Sequence, residues 1–120
     1  MVEVFNTDEF GDWFGELTAN EQEDVAYVVR LLEQDGLGLG HPYSSALEGT
    51  KYAFRELRPK KGRSPLRVIY AFDPQRDAVL IIGGDKGGDA KFYRRIIKRA
   101  EAIWKDYLAE QAQGLHEEEK

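Results

Sequence analysis

The chain has 120 residues, 42% hydrophobic and 32% charged, with 12 glycines and no cysteine. That length suits one domain with its own core, and the composition excludes the disordered, collagenous and membrane-spanning classes. A disulfide framework and a thiolate metal site are excluded by the missing cysteine. The first ten residues carry acids rather than a basic-then-apolar leader, and no apolar run nears the roughly 18 residues of a membrane span. A cytoplasmic protein is therefore expected.

Charge is unevenly placed along the chain. Residues 1–50 hold eleven acids against Arg30 alone, and residues 51–105 hold fifteen Lys and Arg against six acids. Residues 106–120 return to acid, with five against Lys120. An acidic front and a basic back suggest a polyanionic or acidic partner for one face. The alternative is short-range pairing that cancels the asymmetry once the chain folds.

Val2 to Phe5 reads as a short strand. Thr7 or Asp8 is placed to cap a helix carrying Phe10, Trp13, Phe14 and Leu17 at helical spacing. Thr18 and Glu21 form a capping-box pattern for a second helix, with Val25, Val28, Val29 and Leu32 on one face and Gly36 at its end. Gly36 to Thr50 reads as a loop. The period then turns strand-like over Tyr52–Arg58, Leu66–Asp73 and Ala78–Gly83, joined by links short enough for antiparallel hairpins. Ala78 to Ile82 is apolar on both faces and is expected to be central. Gly83 to Gly88 is a flexible loop, and Asp89 can cap a last helix with Phe92, Ile96, Ala100, Ile103 and Tyr107 on one stripe. The order β-α-α-β-β-β-α predicts an α+β domain, a small antiparallel sheet with an N-terminal helical hairpin and a C-terminal helix packed on it. A single domain over 1–110 is expected, with an acidic flexible tail over 111–120.

Most familiar chemistry is absent from this pattern. His41 and His116 have no partner at ligand spacing, so no metal site is expected. Gly36 to Gly40 follows a helix, and Gly84 to Gly88 lacks the Lys-Ser/Thr pair of a P-loop, so no cofactor is implied. What remains is a concentration of Arg55, Arg58, Lys60, Lys61, Arg63, Arg67, Tyr70, Lys86, Lys91, Tyr93 and Arg94. Such cations can neutralise phosphate oxygens and the charge that builds in an in-line transition state. Aromatic rings can stack on unpaired bases, and a lysine crowded by cations can act as a base on a ribose 2′-OH. An ordinary solvated sheet edge would hold the same residue types.

The stretch Phe54-Arg55-Glu56-Leu57-Arg58, the strand Leu66-Arg67-Val68-Ile69-Tyr70, the apolar strand running into Gly83-Gly84-Asp85-Lys86, and Phe92-Tyr93 at a helix start carry a resemblance. Together they resemble the RelE/HigB superfamily of bacterial toxin–antitoxin toxins, in its phage Gp49-like branch, over about residues 2–108. The resemblance implies a ribosome-dependent endoribonuclease that cuts mRNA by attack of a 2′-OH on the adjacent phosphate, without a metal. It also implies a cognate antitoxin, commonly with a helix-turn-helix DNA-binding part. Carried over by position, Arg67 takes a phosphate-binding role and Tyr93 a stacking or proton-transfer role. Arg58 and Lys86 complete the catalytic set, with Lys60, Lys61, Arg63, Lys91 and Arg94 meeting RNA. One departure stands out, because many HigB-like members have a His where this chain has Gly83-Gly84. Two other readings stay open: a ParE-like gyrase poison on the same fold, and a degenerate module that only binds RNA or a partner.

Strand parity sorts these residues further. Arg67 shares a face with Ile69 and Ala71, whereas Tyr70 shares the other with Leu66, Val68 and Phe72 and is expected in the core. Arg55 and Arg58 point to opposite faces, and Arg58 adjoins the basic loop.

Overall fold

The computed structural model describes residues 1–118. Its elements are β1 (Val4–Asn6), α1 (Asp8–Gly15), α2 (Ala19–Asp35), β2 (Ser44–Ala46), β3 (Arg55–Leu57), β4 (Leu66–Phe72), β5 (Ala78–Asp85) and α3 (Phe92–Glu118). Thr7 caps α1: its hydroxyl accepts the Phe10 N–H at 3.0 Å and donates to the Ile81 carbonyl at 2.6 Å, tying the helix start to β5. The capping box of α2 forms as the sequence predicts, with the Glu21 N–H on Thr18 Oγ1 at 3.2 Å and the Thr18 N–H on Glu21 Oε1 at 2.9 Å. These bonds satisfy donors that a helix start otherwise leaves open.

The sheet has five strands in the order β1-β5-β4-β3-β2. Two features differ from the sequence reading. Ser44–Ala46, read as loop, pairs antiparallel with β3 and forms one edge. A three-residue strand of Ser-Ser-Ala carries no apolar alternation, so its pairing is decided by the partner strand. The sheet is also mixed rather than wholly antiparallel, because β1 runs parallel to β5, with Val4 opposite Ala78 and Asn6 opposite Leu80. The α1–α2 hairpin lies between β1 and the rest of the sheet in sequence, which leaves β1 free to enter in either direction.

Each face of the sheet buries its own core. Leu57, Leu66, Val68, Tyr70, Ala78 and Leu80 pack under α1 and α2 with Phe10, Val25, Val28 and Leu32. Phe54, Ile69, Ala71, Val79, Ile81 and Ile82 pack under α3 with Phe92, Ile96, Ala100 and Trp104. Tyr70 is fully buried on the first face, as parity predicts, and its hydroxyl lies 2.6 Å from Ser44 Oγ. Arg55 is turned to the same side, with Nε 3.1 Å from Ser44 Oγ and 3.3 Å from Tyr70 Oη, and so has a structural role. In the middle of the sheet the β4–β5 register shifts between Ile69 and Tyr70, leaving Ile81 as an extra residue. The shift brings consecutive Ile81 and Ile82 into the same core.

The last helix is longer than the sequence suggests. It continues to Glu118, through the segment read as a tail from residue 111. Gly114 alone does not stop it, because a helix interior tolerates glycine at a cost of about 1 kcal/mol. Residues 119–120 of that tail lie outside the described residues, and so does the side chain of His116. The charge asymmetry does not cancel by pairing. Among the described residues the ion pairs join Glu56 to Arg58 and Arg67, and Asp89 to Arg95, so none links the acidic front to the basic back. No helix of the described chain is long and apolar enough to cross a membrane.

Candidate active site

Parity in β3 places Glu56 on the α3 face, Arg58 just past the strand end turns to the same carboxylate, and the β3–β4 register sets Glu56 opposite Ile69, two residues from Arg67 on the same face. Tyr93 reaches this point from the first turn of α3. The result is a cluster centred on one carboxylate oxygen. Glu56 Oε1 accepts the Tyr93 hydroxyl at 2.9 Å, lies 3.3 Å from Arg58 Nη1 and lies 3.2 Å from Arg67 Nε. Three of the predicted catalytic residues, Arg58, Arg67 and Tyr93, are therefore brought together. Glu56 was not among the predicted site residues, although an acid at a core-facing strand position two residues from Arg58 was a signal that could have found it.

The four side chains differ in access. Arg67 and Glu56 are all but sealed, with side chains 1% and 3% exposed, whereas a quarter of Arg58 meets solvent. The Arg67 guanidinium is engaged from within: Nη1 donates to the carbonyls of Ser64 and Leu66 at 2.6 and 2.7 Å, and Nη2 to that of Gly62 at 3.4 Å. A buried cation with these bonds anchors the Pro59–Ser64 loop. In this arrangement it does not offer its edge to an incoming phosphate, the role the resemblance implies. Its Nε sits at ion-pair distance from Glu56 but is not aimed at it, and Arg58 Nε is likewise buried without a hydrogen-bond partner among the described residues.

The loop between β3 and β4 is unusual in its backbone. Lys60 and Lys61 hold positive φ of 55° and 57°, and Gly62 follows at 88°. Left-handed geometry costs a residue with a Cβ about 1 kcal/mol or more, so the surroundings must hold it. Arg67 does so from below, and Arg63 bonds back to the Lys60 carbonyl through its backbone N–H at 3.0 Å and its Nε at 3.2 Å. Gly62 is required for a second reason, because a Cβ there would stand 2.6 Å from Arg58 Nη2. Lys60, Lys61 and Arg63 are left on the outside of the turn, all three exposed to solvent.

The other predicted cations stand apart. The Lys86 N–H bonds the Pro65 carbonyl at 2.9 Å, which ties the β5–α3 loop to the start of β4. Lys91 and Arg94 are exposed at the start of α3, where Asp89 Oδ1 accepts the Lys91 N–H at 2.9 Å. Among the described residues no hydrogen bond or ion pair joins Lys86, Lys91 or Arg94 to the Glu56 cluster. No group of three His, Asp or Glu side chains gathers among the described residues where a metal ion could sit.

Tyr93 is the titratable group whose environment speaks to chemistry. Burial chiefly, then the hydrogen bond to Glu56 and its negative charge, raise its phenol above the ordinary 10.0, while Arg67 pulls the other way. The neutral form is thus the one the fold favours, and it is the form present at physiological pH. Because the folded value lies above the unfolded one, this stabilisation is complete below about pH 10 and is lost as pH rises through the folded value. Tyr93→Phe is expected to reduce the alkaline loss of stability, seen as a smaller drop in urea midpoint between about pH 8 and about pH 11. The remaining loss belongs in part to Tyr107, which burial and the charges of Asp73 and Asp77 also raise.

A two-faced sheet of this order, with a basic loop and a Glu-Arg-Arg-Tyr cluster at one edge of α3, makes up a small α+β domain. Residues 12–105 match the family described as "Phage derived protein Gp49-like", and the chain belongs to that family, a RelE/HigB-type branch. It is 34% identical over 101 residues to the protein named "Putative toxin HigB2" of Mycobacterium tuberculosis, covering 82% of this chain and half the length of that one. With "Putative toxin HigB3" of the same organism it shares 35% identity over 104 residues, 85% of this chain and 90% of the relative. Among solved structures it resembles a chain of the archaeal RelE–RelB complex from Pyrococcus horikoshii, with a TM-score of 0.54 and 17% identity over 72% of this chain and 97% of that one. The isolated Escherichia coli RelE toxin gives 0.54 and 15%, over 82% and 98%. At these identities the structural likeness speaks for the fold.

Proposed function

We propose that the protein is the toxin of a toxin–antitoxin pair, acting in the cytoplasm as a ribosome-dependent mRNA endonuclease. The observation that carries this reading is the convergence of Glu56, Arg58, Arg67 and Tyr93, from two strands and a helix, beside a basic loop. The HigB-named relatives support the toxin assignment, and the RelE–RelB complex supports a protein antitoxin as partner. That antitoxin is expected to carry a helix-turn-helix DNA-binding part.

In the proposed reaction the ribose 2′-oxygen bonds to the adjacent phosphorus as the bond to the 5′-oxygen breaks. The 2′ proton leaves and one proton reaches the departing oxygen. Arg58, the solvent-reachable guanidinium of the cluster, meets a non-bridging oxygen and answers the charge that builds there. Tyr93 accepts the 2′ proton as its own hydroxyl proton passes to Glu56, whose carboxylate is the final acceptor, and water protonates the departing 5′-oxygen. Arg67 acts through others, holding Glu56 and the basic loop in place. Lys60, Lys61 and Arg63, with Lys86, Lys91 and Arg94 across the loop before α3, hold the neighbouring phosphates. Side-chain cations supply the positive charge in this scheme.

Primer extension on a reporter mRNA with programmed ribosomes tests the reading. Cuts within A-site codons are expected, absent without ribosomes, and reduced about 10²- to 10⁴-fold by Tyr93→Phe if that residue carries the proton. A folded, antitoxin-free sample that leaves the mRNA whole would sink the nuclease. A second reading, a module that binds without cutting, is favoured by one observation: Gly83 has no room for the histidine that many HigB-like members carry, since a Cβ there would lie 2.3 Å from the Trp13 ring.

A further inference from the structure

On the far side of the basic loop from the Glu56 cluster, a cleft of about 240 Å³ opens between α2 and the loop. Asp24, Tyr27, Tyr43, Lys60, Lys61 and Arg63 line it. Tyr27 is half exposed at 51%, an aromatic ring left at the surface of an otherwise acidic helix, with the Arg30 guanidinium over it 5.9 Å from the ring centroid. The opposite wall is the left-handed turn, where Arg67 holds the Gly62 and Ser64 carbonyls from within, Arg63 holds the Lys60 carbonyl on the outside, and both lysines are exposed. Strain of this kind persists where neighbours over-determine it, and it concentrates at ligand clamps.

We propose that this cleft is a subsite for one nucleotide of single-stranded RNA, with its base against Tyr27 and Tyr43 and its flanking phosphates on Lys60, Lys61 and Arg63. This deepens, and rests on, the reading of the protein as one that handles RNA. Asp24 sets the polarity: it repels phosphate from the helix wall and offers an acceptor to a base amino group. A nucleotide fits such a site because its charge and its ring are separated in space. A glutamate-rich peptide would bring charge to both walls, against Asp24 and its helix neighbours Glu21 and Glu23. The loop connects the cleft directly to Arg58, so a strand leaving the Glu56 cluster crosses the lysines to reach the tyrosines.

The test uses the full chain and a labelled 2′-O-methyl hexanucleotide, which cannot be cut at its ribose, read by fluorescence anisotropy. Tyr27→Ala is expected to weaken binding roughly 5- to 150-fold, the range for removing one base-stacking ring. The double change Lys60→Gly, Lys61→Gly is expected to lower the salt slope of log affinity by roughly 0.7 for each phosphate no longer neutralised. The same change relieves two left-handed residues, so the melting temperature should not fall, which separates binding from folding. Equal affinity of Tyr27→Ala and the unchanged protein overturns the proposal, as does an oligonucleotide that fails to bind. Tyr27-dependent binding of a glutamate-rich peptide, with no such dependence for the oligonucleotide, also overturns it and marks a protein interface. Tyr27-dependent binding by a protein that cuts nothing leaves the cleft standing and removes the nuclease. Cutting on ribosomes with binding blind to Tyr27 does the reverse.

Discussion

Replacing Glu56 with alanine is expected to destabilise the fold by about 3–5 kcal/mol, the range for removing one partner of a buried ion pair. The carboxylate is 3% exposed and faces a guanidinium that is 1% exposed, so its loss strands the Arg67 charge where water cannot reach it. Arg58 and the Tyr93 hydroxyl lose their acceptor in the same step. Arg67→Ala should cost a similar amount by a different route, since the carbonyls of Gly62, Ser64 and Leu66 lose their donor and the left-handed turn loses its support. The two changes share one network, so the double variant should be less destabilised than the sum of the singles. Urea unfolding of the four proteins measures this directly. A Glu56→Ala midpoint equal to that of the unchanged chain would mean that the carboxylate does not hold the cluster together.

The second large effect is expected at Gly83. A Cβ there would lie 2.3 Å from both Cε3 and Cζ3 of Trp13, distances at which the ring or the strand has to move. Trp13 belongs to α1 and is wedged against Phe10 with ring centroids 5.7 Å apart, and β5 is an interior strand, so neither yields without disturbing a core. Gly83→Ala is expected to cost about 1–3 kcal/mol through overpacking, and Gly83→His more. Trp13→Leu should make Gly83→Ala less harmful than it is beside the indole, a coupling that a double-mutant cycle of thermal melts would read. Additive losses would show that the two residues do not meet. Gly84 is enclosed from the other face, where a Cβ would stand 2.9 Å from the Phe92 ring and 3.1 Å from Ile96. The Gly-Gly pair is therefore the means by which α1 and α3 approach β5 from opposite sides. Proton transfer, where it occurs, has to use a group other than a histidine at this place.

Local spacing made much of this molecule legible. Thr7 and the Thr18–Glu21 pair are caps because a short hydroxyl side chain satisfies nearby N–H groups, and that chemistry needs only three or four consecutive residues. Alternation in Leu66–Phe72 separated Tyr70, buried in one core, from Arg67 on the other face, because neighbouring side chains in a strand point opposite ways. The basic run Lys60-Lys61-Gly62-Arg63 was visible as a loop between two strands. The α3 stripe was visible through Phe92, Ile96 and Ala100, although Trp104, which completes it, was not picked out.

What spacing could not reach were the relations between distant segments. Whether β1 pairs parallel or antiparallel, and whether Ser44–Ala46 pairs at all, depends on partners far away along the chain. The burial of Arg67 depends on three carbonyls folding back over it, so a residue that reads as a phosphate ligand becomes the anchor of the loop instead. Glu56 reads as one acid among many; only its register beside Arg67 and beneath Tyr93 turns it into the centre of a site. Sequence by itself determined the types of the longer elements, their faces and the family resemblance, because those follow from short-range periodicity and from residues in a given order. The tertiary structure alone decided which charges are sealed from water and which stay open to a ligand, because desolvation is a property of everything that surrounds a group in space.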